Sequence, residues 1–183
     1  MTALSEISAD LDWREGGLAT LRILLKASEK NDLQKQVLLR AAWALLYAHL
    51  EGYVKFCLTV FYDEVKRRGV PCVKLPRSTL AFALKNHISG MRNSTSLQFA
   101  EGLLDFPNIT APAPATFPEV DTKSNLRPNV LIELLEAADI CVPAVARQEI
   151  KLKTLVARRN GIAHGEQSFI KEIEYYLTYE EAV

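Results

Sequence analysis

At 183 residues the chain is long enough for one domain with a real core and too short for two comfortable ones. Hydrophobic residues make up 49% and charged residues 24%, with only 8 Gly and 8 Pro, a composition that excludes a disordered or fibrous chain. Twenty-two basic and 22 acidic residues cancel, so no global charge pulls the protein toward nucleic acid or anionic lipid, and any such affinity has to be local.

The opening MTALSEISADLDW carries acids where a signal peptide would carry a basic region and an apolar run. The longest apolar stretches are interrupted by charges, so no membrane span is expected, and a reducing, cytoplasmic setting follows. The sequons at Asn93 and Asn108 carry no meaning in that setting. Cys57, Cys72 and Cys141 stand far apart with no C-x-x-C pair, so neither a disulfide framework nor a zinc site follows.

Residues 4–28 alternate acids and leucines and predict a first helix, with Trp13, Leu18, Leu21 and Leu25 on its buried side. Asp32 is placed to cap the next helix. That helix, from about Leu33 to Arg68, carries the strongest periodic signal. Leu39, Trp43, Leu46, Leu50, Tyr53, Cys57 and Val60 form one stripe, and Leu38, Ala42, Leu45, His49, Gly52 and Phe56 run beside it. Two adjacent apolar stripes predict a helix packed on more than one side, the central one of the fold. Gly69 and Pro71 end it. Residues 77–91 and 94–105 predict two shorter helices. Residues 107–128 hold Pro107, Pro112, Pro114, Pro118 and Pro128, five of the eight prolines, and predict an exposed extended loop that cannot be helical. Helical spacing resumes at 129–138 and at about 144–164, and the tail IKEIEYYLTYEEAV reads as a helix just begun. No strand pattern or internal repeat competes. The expectation is an all-α helical bundle with a long central helix, one domain over residues 1–183.

One segment resists a purely structural reading. In VARRNGIAHGE, residues 156–166, the positions Leu152, Leu155, Arg159 and Ile162 follow steps of three, four and three, so Arg159 falls where a leucine is expected. A cation on a buried stripe is costly unless it is paired or faces a polar cavity. Gly161, in mid-helix, costs roughly 1 kcal/mol relative to alanine and suggests close approach of another surface. His164, five residues after Arg159, lies about 140° round an unbroken helix, so within one chain the two side chains do not converge. Across a two-fold axis, Arg159 of one copy could meet His164 of the other. Arg147, Lys151, Lys153, Arg158 and Arg159 against Glu149 leave five minus one, a local excess of four positives that suits a phosphate. The plainer reading is that Gly165 ends the helix and His164 sits in its last turn, favourably placed in the helix dipole.

The run R-N-G-I-A-H-G-E resembles the R-x(4–6)-H motif of the HEPN superfamily. The segment A-A-W-A-L-L-Y-A-H-L-E-G-Y-V-K at 41–55, D-L-D-W-R-E at 10–15 and S-N-L at 124–126 extend the likeness to its stand-alone bacterial, MAE-type group, over essentially the whole chain. R-x-x-x-x-H alone is unspecific; the combination is not. The resemblance implies an all-α bundle that dimerises with two motifs at the shared interface, and a metal-independent endoribonuclease acting on RNA with no cofactor, in phage defence or stress response. Carried over, Arg159 stabilises charge on the attacked phosphate, His164 does general acid–base work, and Asn160 orients the arginine or the phosphate. The RNA 2′-hydroxyl is then the nucleophile, and an imidazole, which titrates near neutrality, suits the acid–base role. Glu51, otherwise an i,i+4 partner of Lys55, becomes a second-layer partner of Arg159. Arg158 and Lys151 are the cations placed to follow the RNA backbone, though a solvated surface suits Arg158 better. A toxin subgroup has His-x-Tyr, modified by a partner nucleotidyltransferase. Glu166 occupies that position here, so that regulation is not expected, and any other regulatory partner is unnamed. The group also tends to continue with a further C-terminal helix, against which the end at Val183 reads as truncation or disorder. His49 reads as a satisfied core histidine, His87 as structural, and Tyr175, Tyr176 and Tyr179 as packing of the last helix rather than base-stacking platforms. The competing class is a catalytically inactive HEPN module that binds RNA, a nucleotide or a partner protein.

Overall fold

The computed structural model describes residues 2–28, 30–166 and 172–182. Among them nine α-helices follow one another, α1 (Ala3–Ala27), α2 (Asp32–Arg67), α3 (Arg77–Ala83), α4 (Lys85–Arg92), α5 (Ser96–Asp105), α6 (Pro128–Ala137), α7 (Pro143–Arg147), α8 (Glu149–Ala163) and α9 (Ile173–Glu180). Among the described residues there is no strand, only an isolated bridge between Pro71 and Pro114. The protein is all-α, as its periodicity predicts. No helix of the described residues is long and apolar enough to cross a membrane.

Contacts divide the chain into two compact units. The first holds Met1–Phe56, Thr122–Leu131 and Val142–Val183; the second holds Cys57–Asp121 and Ile132–Cys141. In the first unit, α1 begins at a capping box in which Thr2 and Ser5 satisfy each other's backbone. Its Leu21 and Leu25 are buried. The predicted stripe of α2 is borne out, since Leu39, Ala42, Trp43 and Leu46 have no exposed surface. Around Trp43 gather Tyr176 and Tyr179 of α9, with ring centroids 5.7 and 4.8 Å away. These two tyrosines pack the last helix, as expected, while Tyr175 stays partly exposed. The α2 cap sits one residue earlier than predicted. Asn31, not Asp32, accepts the Gln34 N–H through its side chain at 3.0 Å.

Trp13 is not on the buried side of α1; it is 57% exposed. At about 100° per residue it stands roughly 80° from Leu21 and 120° from Leu25, outside the narrow face those two bury. Its indole N–H donates to Asp10 at 3.0 Å instead. Two long helical predictions are each broken by an ordinary residue: Leu84 separates α3 from α4, and Gln148 separates α7 from α8. Residues 170, 171 and 183 of the predicted tail lie outside the described residues; Ile173–Glu180 within it forms α9.

The reading of 107–128, which spans residues of both units, as an exposed, non-helical loop is corrected. Phe106–Thr110 forms one turn of π-helix with Pro107 in its first positions, where a missing N–H costs nothing. Ala115, Val120 and Leu126 are buried. In the alternation Ala-Pro-Ala-Pro-Ala the prolines donate nothing and the alanines do the pairing. Ala115 N–H donates to Val70 O at 2.8 Å, Ala113 O accepts from Cys72 N–H at 3.0 Å, and Ala111 O accepts from Val73 N–H at 2.9 Å. Phe117 stacks on Tyr62, centroids 4.5 Å apart, and Phe82 lies 4.9 Å from the same ring. Asp139, with φ 54°, accepts from both the backbone N–H and the hydroxyl of Thr79 at 2.8 Å, which holds α3 to the end of α6. An exposed loop would tolerate Phe117→Ala within about 0.5 kcal/mol, whereas this half-buried stacked ring is expected to cost about 2 kcal/mol of unfolding free energy. Urea denaturation of the two proteins measures the difference.

Candidate functional site

Helix α8 buries Leu152, Leu155 and Val156, and Arg159 continues that stripe half-buried. Its guanidinium lies over the ring of Tyr47 on α2, 4.8 Å from the centroid. A cation–π contact of this kind is one way an apolar stripe tolerates a cation. One guanidinium nitrogen donates to the Asn160 side-chain oxygen at 3.0 Å. Tyr47 is itself only 1% exposed. Its hydroxyl accepts the Leu126 N–H at 2.6 Å and donates to Asn125 Oδ1 at 3.2 Å. Burial pushes that hydroxyl up to about 12; the Leu126 N–H opposes this, the Glu51 carboxylate adds to it, and the Arg159 cation opposes it. The loop held by Tyr47 enters through Lys123 and Ser124, both in the left-handed region at φ 55° and 57°. Two consecutive non-glycine residues there cost of order 1–3 kcal/mol each, which the surrounding bonds must offset.

His164 is exposed at the C-terminal cap of α8, its backbone N–H bonded to Asn160 O at 2.9 Å. Gly165, at φ 76°, turns the chain. Glu166 N–H reaches Gly161 O at 2.9 Å and Gly165 N–H reaches Ile162 O at 3.1 Å, the paired bonds of a Schellman ending. The predicted helix end is therefore present. Gly161 has a different reason from the one its sequence suggested. A Cβ there would come 2.7 Å from Glu166 Oε2, so the glycine makes room for this chain's own carboxylate folding back on α8. Arg40 of α2 donates to the Glu166 carbonyl at 2.7 Å and ties down the motif's end.

The structure thus brings Arg159, Asn160 and Glu51 together around Tyr47. No hydrogen bond among the described residues joins His164 to Arg159, in keeping with the angular separation expected on one helix. The other predicted cations have separate neighbours. Lys151 donates to Thr178 O at 2.9 Å, Lys153 pairs with Glu149 at 2.7 Å, and Arg158 bears on the Tyr175 hydroxyl. Arg147 and His87 are exposed. Tyr47 and Asn125 were not singled out from the sequence. Their signals were available: Tyr47 lies one turn before Glu51, and Asn125 belongs to the quoted S-N-L.

Compared with known families, residues 3–183 match the model of the MAE_28990-like HEPN family. The chain belongs to this family. No curated protein and no solved structure matches it.

Two hollows flank the motif helix of this HEPN domain. One, of about 480 Å³, is lined by Arg127, Asn129, Glu149, Lys153 and Asn160 among others. The other, of about 440 Å³, is lined by Lys153, Thr154, Arg158, Gly161 and Glu166 among others. Among the described residues no three His, Cys, Asp or Glu side chains are grouped as a metal ion would require.

A further polar cluster, missed in the sequence, joins the D-L-D-W-R-E segment to α2. Arg14 reaches Asp10 at 2.6 Å and His49 Nδ1 at 3.5 Å, and Trp13 meets the His49 ring edge-on at 5.2 Å. A Cβ at Gly52 would come 2.8 Å from the Arg14 guanidinium, so that glycine lets Arg14 lie against α2. Arg14 and His49 border a cavity of about 690 Å³ with Arg22, Lys26 and Glu180. His49 is buried, as expected, but only half satisfied, since its Nε2 has no hydrogen-bond partner. Burial first, and then the Arg14 charge, hold its pKa below the usual 6.5, with Asp10 opposing. A histidine depressed in the folded state resists a proton that the unfolded chain accepts. It therefore costs nothing well above pH 6.5 and removes stability as pH falls below that value. Unfolding free energies at pH 7.5 and 5.5 are expected to differ more in the wild type than in His49→Gln. Equal differences would remove His49 from the pH response.

Proposed function

We propose that this HEPN domain is an endoribonuclease that cleaves RNA without a metal, at a site to which two copies of the chain contribute. The observation that carries the reading is Arg159. A cation stands on an otherwise apolar stripe, held on an aromatic face with Asn160 beside it, and an exposed imidazole follows five residues later. A fixed guanidinium suits a phosphate whose charge grows during attack. In the proposed step the ribose 2′-oxygen bonds to phosphorus and the bond from phosphorus to the 5′-oxygen breaks. Neutral His164 takes the 2′-hydroxyl proton, and the leaving 5′-oxygen takes one from an imidazolium or from water. The products are a 2′,3′-cyclic phosphate and a 5′-hydroxyl. Because Arg159 and His164 diverge on one helix, the reading pairs Arg159 of one copy with His164 of the other about a two-fold axis.

The test is cleavage of a mixed RNA pool in EDTA, with the ends mapped. Wild type is expected to give cyclic phosphates, and Arg159→Ala and His164→Ala are expected to give none while melting normally. Binding without any product would favour the inactive, ligand-binding alternative. Mixing the two inactive variants separates shared from single-chain sites. If the site is shared, random exchange leaves one intact site in half of the dimers, and about a quarter of the activity returns. If each chain carries its own site, nothing returns.

A further inference from the structure

Tyr47 contacts both the motif arginine and the loop beside it. Its ring lies under the Arg159 guanidinium at 4.8 Å, and its hydroxyl holds Leu126 N–H at 2.6 Å and Asn125 Oδ1 at 3.2 Å. The loop it holds contains two consecutive left-handed residues, Lys123 and Ser124. A bend of that kind does not persist unless something nearby fixes it. A leucine at position 47 would fill the core equally well but would offer neither the quadrupole for a cation nor the hydroxyl for the loop. We infer that Tyr47 is the positioning residue of the Arg159 site: its ring face sets the guanidinium, and its hydroxyl latches the loop 122–127 beside it.

The physical reasoning is direct. An arginine side chain has about 2 kcal/mol of rotamer entropy, so an unsupported guanidinium would sample many positions and spend little time where a phosphate needs it. A buried aromatic face removes most of those positions without neutralising the charge, whereas a carboxylate partner would cancel it. Position is held while the cation stays available. Asn160, bonded to one guanidinium nitrogen, restricts rotation about the remaining axis. The hydroxyl bonds then join Arg159 to the loop through a single side chain, so the two parts of the site share one fixed point.

Two variants separate the ring from the hydroxyl: Tyr47→Phe keeps the aromatic face, and Tyr47→Met keeps comparable bulk without it. The first readout is the NMR signal of the Arg159 Nε–H and δ protons, which needs no activity. In the wild type and in Tyr47→Phe these protons are expected to be shifted upfield by the ring and to show Overhauser contacts with it. In Tyr47→Met the shift is expected to vanish. If the wild type shows neither shift nor contact, the inference is overturned, whether or not Tyr47→Met folds. The second readout is kinetic and rests on the ribonuclease reading. Tyr47→Met is expected to lower kcat about tenfold or more with KM within about threefold. Tyr47→Phe should restore most of that loss, retaining a deficit of about two- to fivefold from the freed loop. A merely structural tyrosine would instead lower the melting temperature of both variants and leave kcat per folded molecule unchanged, a result that overturns the inference with the ribonuclease reading intact. A wild type that cuts no RNA removes the ribonuclease reading, and the NMR arm still decides the role of Tyr47.

Discussion

A guanidinium on a face that otherwise buries leucines is the constraint from which the rest of the site follows. Full burial of Arg159 without a partner would cost several kcal/mol, and a carboxylate partner would cancel the charge. Among the described residues Arg159 takes neither arrangement. Arg159 is half-buried over the ring of Tyr47, which needs an aromatic residue at one position of α2 and α8 crossing close to it. Leu39, Trp43 and Leu46 on α2, with Leu152 and Leu155 on α8, are buried apolar residues in the same unit. The apolar packing around the motif is therefore what lets a charged group be held without being neutralised.

The ends of that arrangement are fixed by short-range chemistry. The Schellman turn at Gly165 stops α8 directly after His164, leaving the imidazole in solvent at the helix end. Gly161 gives Glu166 room to fold back, and Arg40 holds the Glu166 carbonyl. At the other end of the unit, Lys151 caps a carbonyl of α9 and Arg22 pairs with Glu180, so α9 is tied to both α8 and α1. Of the cations that looked like a continuous basic patch in the sequence, Lys151 and Lys153 are spent on such internal ties. Arg158 and Arg127 line the two hollows beside the motif, and Arg147 is exposed.

The Asp10–Arg14–His49 cluster has the opposite character. Its charges are paired at short range, and its histidine's pKa is held down chiefly by burial. Perturbed titration accompanies structural clusters as well as reactive ones. Here the glycine at 52 and the edge-on Trp13 account for the geometry through packing.

The all-α class, the long second helix with its buried stripe, the helix end at Gly165 and the misplaced Arg159 were all legible in the sequence, because each is written in spacing and in residues with strong local preferences. The resemblance to HEPN proteins was legible in the same way, from several short segments together. Trp13, the breaks at Leu84 and Gln148, and the paired Ala-Pro stretch were not, since no local preference marks them. Trp13 is exposed because of which face α1 buries, and the alanines between prolines are ordered because carbonyls and amides of residues 70–73 lie alongside them. Likewise Tyr47 sits on neither predicted stripe. Only the meeting of α2, α8 and the 122–127 loop makes it the support of Arg159, because a cation–π contact depends on where two distant side chains come to rest.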